Sequence, residues 1–219
     1  MCPVNSALYF IGKQMKNAVK RRKIDCVWHF TRLSNLDSIL KHGLISRKDL
    51  ENSGIKSDFN DDYRFDCEEN AICCSLGHPN YKMFYSLRQN NPDIEWVVLA
   101  LIPDVLWEKD CAFCVSNAAS NEVTCIPITL RKGLDAFNKL FEEIDGKPTR
   151  AELEISDRSP TNPQAEILIF DRIEPKHIIG VITQYKATET DLKTKYENSA
   201  FDILYHNALF SPRKDYIHW

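Results

Sequence analysis

The chain has no apolar run of the roughly 18 residues that a membrane-spanning helix needs. Its start, MCPVNSALYFIGKQ, lacks a charged segment followed by a signal-like apolar core. The expected location is therefore cytoplasmic. Glycine is scarce, with 7 in 219 residues against 10 prolines, which excludes a flexible or low-complexity polymer. GxGxxG, P-loop, HExxH and GxSxG motifs are all missing. A bound nucleotide would have to be held without a glycine-rich cradle. Neither sign of charge dominates: 28 Lys and Arg face 31 Asp and Glu, a net charge of -3. Any site for a polyanion must then be local. The densest basic run, Lys16 to Lys23, reads first as the solvated end of a helix.

Cysteine is not scarce, at eight residues, but a chain with 43% hydrophobic content has no need of a disulfide scaffold. The cysteines read as reduced thiols. Only CAFC, Cys111 to Cys114, has metal-type spacing. A zinc site would need a second pair or nearby histidines, so no metal is expected. Cys73 and Cys74 sit inside AICCSL, where cysteine acts as a small hydrophobe.

The length suits one domain over residues 1–219. Leu8, Ile11, Met15 and Val19 recur at helical spacing, predicting an amphipathic helix over residues 5–20. Strands are expected at 26–31, 71–76, 95–103, 165–170 and 177–184, and helices at 34–43, 81–88, 133–143 and 201–209. The polar segment 49–70 reads as a long loop. Strands and helices do not alternate regularly, which favours an α+β fold with a mostly antiparallel sheet.

Polar residues gather at the ends of two of these strands. His29 and Thr31 share a face of the first strand by its two-residue period, and Gln164 and Glu166 share a face at the start of the later strand. A carboxylate opening an apolar strand must keep water, find a cation or shift its pKa. Glu166 is thus a candidate functional group, the alternative being an ion pair with an arginine at the strand edge. A lone strand histidine such as His29 is often a satisfied core residue.

Three segments together carry a family resemblance: HFTRLSNLDSILKHGL (residues 29–44), NAAS (residues 117–120) and PQAEILI (residues 163–169). In this order and spacing the chain resembles the DarT family of DNA ADP-ribosyltransferase toxins. The resemblance implies an ADP-ribosyltransferase fold, with two mostly antiparallel sheets around an NAD cleft and peripheral helices. It implies NAD as co-substrate, transfer of ADP-ribose onto a base of single-stranded DNA, release of nicotinamide, and an antitoxin partner whose macrodomain reverses the mark. Carried over by position, Glu166 is the expected catalytic glutamate and Arg64 the expected catalytic arginine, with Arg47 and Arg88 as substitutes. His29, Phe30 and Thr31 would hold NAD together with Arg64, and Asn35 and Ser38 are further candidates for the same role. Gln164, Asn117, Tyr81 and Arg88 are the candidates for contact with the nucleic acid. Two other readings stay open: the same fold acting on RNA or protein, and a non-catalytic nucleotide or nucleic-acid binding module.

Overall fold

The computed structural model describes residues 3–55, 58 and 68–219, with side chains of the first helix described from residue 12 onward. In chain order the elements are α1 (Pro3–Arg21), β1 (Val27–Arg32), α2 (Leu36–His42), α3 (Arg47–Ser53), β2 (Ile72–Leu76), α4 (Tyr81–Asn90), β3 (Trp96–Leu101) and α5 (Val105–Glu108). There follow β4 (Cys111–Cys114), α6 (Asn121–Thr124), α7 (Gly133–Lys139), β5 (Glu166–Ile169), β6 (Ile178–Thr183), α8 (Lys186–Lys195) and β7 (Asp202–Tyr205). The strands form a seven-stranded sheet in the order β4-β5-β2-β1-β3-β6-β7. All neighbours are antiparallel except β6 and β7.

Both faces of the sheet are covered. Along β3 every residue is buried, and alternate residues serve different cores. Val97, Leu99 and Leu101 join Val19, Phe137 and Phe141 on one side. Trp96 and Val98 join Phe84, Leu209 and Phe210 on the other. The continuous apolar run of β3 thus follows from burial on two faces rather than one.

The expected division into two sheets takes a different form. β1 pairs with β3 over six residues, but with β2 over only two, Val27 with Leu76 and Trp28 with Ser75. Beyond Trp28 the two strands part, so a single sheet opens into two arms. The helix expected at 201–209 is instead strand β7 followed by a helical turn at Asn207–Phe210. β7 is an edge strand in which only Ile203 is buried, so it carries no alternation to announce it. Nor does the sequence announce α8, because KATETDLKTK has almost no apolar face. CAFC forms β4, and residues three apart on a strand point to opposite faces. Cys111 and Cys114 accordingly enter different core clusters.

Candidate active site

Where β1 and β2 separate, a cavity of about 360 Å³ opens. Trp28, His29, Phe30 and Thr31 all line it, although alternate residues of a strand point to opposite faces. They can do so because the cavity lies at the open edge of β1 rather than over one face. On the facing arm Ile72, Cys73, Cys74 and Ser75 of β2 complete the wall.

His29 spans the gap: its Nδ1 lies 2.8 Å from the Cys73 carbonyl. A carbonyl only accepts, so Nδ1 carries the proton and Nε2 of the neutral ring is left as an acceptor. Burial lowers the His29 pKa, with the Cys73 hydrogen bond opposing the change. The ring is therefore neutral at physiological pH.

Glu166 is the first residue of β5, only 4% exposed, and lines the same cavity. Asn80 Nδ2 donates to its Oε1 at 3.0 Å, and the Ala118 N–H donates to its Oε2 at 2.8 Å. These donors make the burial of a carboxylate tolerable and fix its plane. The NAAS segment explains the second contact. Asn117 Oδ1 accepts from the Ala119 N–H at 3.0 Å and the Ser120 N–H bonds the Asn117 carbonyl at 2.9 Å, forming a turn that brings the Ala118 amide to Glu166. Asn80 caps α4 through its Oδ1, which accepts from the Met83 N–H. The same side chain therefore starts a helix and holds the carboxylate.

The third wall comes from α2 and its preceding turn. Asn35, Ser38 and Ile39 line the cavity at a spacing that puts them on one helix face. The Asn35 amide is already committed: it donates to the Asp58 carbonyl at 2.8 Å and to Thr31 Oγ1 at 3.1 Å, and accepts from the Asp58 N–H at 2.8 Å. This fastens Asp58 beside β1. Arg47, in the first turn of α3, lines the cavity and pairs with Glu51 at 3.2 Å. Burial pushes the Cys74 thiol well above its ordinary pKa, so it is no nucleophile at neutral pH. Among the described residues no cluster of His, Cys, Asp and Glu could hold a metal ion. Nor is any described helix long and apolar enough to cross a membrane.

Residues 28–209 match the family model described as ssDNA thymidine ADP-ribosyltransferase, DarT. The chain belongs to the DarT family. That description names thymidine, a nucleoside that no residue pattern in the sequence identifies. No match is found among curated proteins. Among solved structures the chain resembles Thermosipho africanus DarTG in complex with ADP-ribose, at 16% identity and a TM-score of 0.58. That likeness covers 85% of this chain and 51% of the other, so the chain spans about half the length of that protein. Thermus sp. 2.9 DarT in complex with NAD+ is similar at 12% identity and a TM-score of 0.52, covering 85% of this chain and 97% of the other. The complex of the same Thermus protein with ADP-ribosylated ssDNA gives 11% identity and a TM-score of 0.50, covering 86% and 97%. At such identities the likeness speaks for the fold.

Of the residues singled out in the sequence, His29, Phe30, Thr31, Asn35, Ser38, Arg47, Asn117 and Glu166 all line this DarT-family cavity. Arg64 lies outside the described residues. Three residues expected on the nucleic-acid side lie outside the cavity. Gln164 sits in the turn before β5, its N–H bonded to Asn162 Oδ1 at 2.9 Å, so the strand period does not align it with Glu166. Tyr81 is buried, with its hydroxyl donating to the Tyr216 carbonyl at 3.2 Å. The Arg88 guanidinium packs on Phe84 and donates to the Phe210 carbonyl at 2.5 Å. None of the three lines the cavity. Asn80 and the Ala118 amide were missed; the sequence shows Asn80 only as part of a turn, 86 residues from its partner Glu166.

Proposed function

We propose that the chain acts as one transferase domain that moves ADP-ribose from NAD+ to thymidine in single-stranded DNA, with Glu166 as the catalytic carboxylate. The observation that carries the residue assignment is the Glu166 side chain, buried at the cavity wall with both oxygens held by fixed donors. Family membership supports the substrate pair. The structural relatives bound to NAD+ and to ADP-ribosylated ssDNA are consistent with it.

In the reaction the bond between the ribose C1′ and the nicotinamide nitrogen breaks, and nicotinamide leaves with the electron pair. The ribose becomes oxocarbenium-like and a thymine ring nitrogen bonds C1′, with one proton released. Glu166 accepts a hydrogen bond from a ribose hydroxyl and stabilises the developing positive charge. Because its donors already fix the carboxylate, little reorganisation is needed as that charge appears. His29 Nε2 offers an acceptor and Thr31 a hydroxyl for the donor nucleotide. Arg47 is the described cavity arginine suited to the pyrophosphate, and Arg64 keeps its assignment from the resemblance as the second catalytic residue. An antitoxin partner with a macrodomain that removes the mark belongs to the same reading.

Incubation of the protein with NAD+ and short oligonucleotides, followed by mass spectrometry, tests the proposal. A mass gain of one ADP-ribose is expected only on oligonucleotides containing thymidine. Glu166→Gln should lower the rate about 100-fold or more while NAD+ still binds. Label appearing on RNA or protein instead of DNA would move the activity to those acceptors. Undiminished transfer by Glu166→Gln would remove the carboxylate from the mechanism.

A further inference from the structure

We propose that the C-terminal segment beyond β7 is a positioning strap that holds Glu166 and Asn80 in register, with Arg213 as its main anchor. This inference rests on Glu166 being the catalytic carboxylate. Two loops converge on that carboxylate: residues 77–81 carry Asn80 into α4, and residues 159–165 lead into β5. They meet at Gly77, where the backbone has φ of 68° and an added Cβ would lie 2.2 Å from Ser159 Oγ. The close approach leaves no slack between the loop that brings the carboxylate and the loop that brings its donor.

The segment after β7 ties down both loops. Arg213 Nη1 donates to the Pro160 carbonyl at 2.7 Å and Nη2 to the Thr161 carbonyl at 2.6 Å. The same guanidinium pairs with Asp215 through Nε and Nη2, each at 2.6 Å, and the two side chains are 10% and 1% exposed. Asp215 also accepts from Trp219 Nε1 at 2.7 Å. On the other loop, the Tyr81 hydroxyl bonds the Tyr216 carbonyl and the two rings meet edge to face at 6.4 Å. His78 Nε2 lies 3.2 Å from the Ala208 carbonyl.

A buried ion pair of this kind is poor evidence for stability, because desolvation consumes much of the Coulombic gain. What the planar guanidinium supplies is geometry: of its five fixed donor directions, two are used on Asp215 and two on the loop before Glu166. From Phe210 onward the strap lies beyond the residues matched by the family model, so membership alone does not supply it.

The test compares Arg213→Ala, Arg213→Lys and Tyr81→Phe with wild type in kcat, KM for NAD+, thermal midpoint and hydrogen exchange of the 115–120 segment. Misplaced catalytic groups cost turnover more than ground-state binding, so Arg213→Ala should lower kcat about tenfold or more while KM for NAD+ moves less than about threefold. Added guanidinium ion should restore part of the lost rate, and Arg213→Lys should fall between Ala and wild type. Tyr81→Phe loses one hydroxyl and should lower kcat about threefold with a thermal midpoint lowered by only a few degrees, which keeps the test meaningful if Arg213→Ala folds poorly. Exchange of the Ala118 amide should rise in Arg213→Ala, since that amide is protected by Glu166. This readout does not need activity: wild type inert on DNA with raised exchange in the variant would sink the functional reading and keep the strap. Unchanged kcat in Tyr81→Phe with unchanged Ala118 exchange in Arg213→Ala would overturn the strap, as would losses in rate that only follow the unfolded fraction.

Discussion

Asn80 uses one amide for two tasks, and the two can be separated by substitution. Its oxygen caps α4 and its nitrogen holds Glu166 at 3.0 Å. Asn80→Ser keeps a capping oxygen but has no donor long enough to reach the carboxylate. Asn80→Ala loses both. Loss of a cap costs about 1 kcal/mol, so urea denaturation should find Ala less stable than wild type by about that amount and Ser nearly unchanged. Turnover should instead fall by a similar factor in both, roughly tenfold, because each removes the Asn80 donor from Glu166. Activity that tracked stability across the pair would mean that Asn80 matters only as a cap. Glu166 stands out in the sequence as a carboxylate opening an apolar strand, whereas His29 is singled out by the family resemblance; both line the cavity. Asn80 does not stand out, since an asparagine after Gly-His-Pro looks like any turn.

Among the elements, α2 shows how tightly the cavity wall is set against the rest of the fold. The helix ends at Gly43, whose φ of 80° and ψ of 178° favour glycine. An added Cβ would lie 2.2 Å from the Ile173 carbonyl oxygen. The contact is backbone against backbone, held by the Leu44 N–H to Ile173 carbonyl bond at 2.9 Å and its return at 3.0 Å. Gly43→Ala should therefore cost on the order of 3 kcal/mol, combining backbone strain with displacement of that bridge. A urea midpoint indistinguishable from wild type would show that the end of α2 can shift without penalty. The same elements explain what the sequence could convey. α1, β1, β3 and β6 are long or strongly patterned, and each lies within two residues of its expected bounds. β7 and α8 carry too little apolar pattern, because an edge strand and a surface helix bury only one or a few residues each. Gln164 shows the opposite error: the period of two is valid inside β5, but the strand starts at Glu166.

For the whole molecule, the parting of β1 and β2 creates the cavity and also makes it a weak seam. Only two residue pairs join the strands by their ladder, and the His29 side chain carries the link to Cys73 beyond them. Protonating His29 puts a charge into that seam. Burial sets its folded pKa below the ordinary value of 6.5, so between that lowered value and 6.5 the unfolded chain binds more protons than the folded one. Stability must then fall as pH drops from about 6.5 toward the lowered pKa, with a slope of at most about 1.4 kcal/mol per pH unit for one group, and level off below it. His78, whose pKa burial also lowers, acts in the same direction. Glu174 and Glu189 are held down to about 2 by lysine partners, so their contribution is lost at lower pH. His29→Gln keeps a side-chain N–H for the Cys73 carbonyl and removes the titration. Urea midpoints between pH 7.5 and 5 should therefore decline more steeply in wild type than in His29→Gln, with the two curves closest at the high-pH end. Parallel curves would mean that His29 takes up its proton without disturbing the seam, and that the two arms are held together by other contacts.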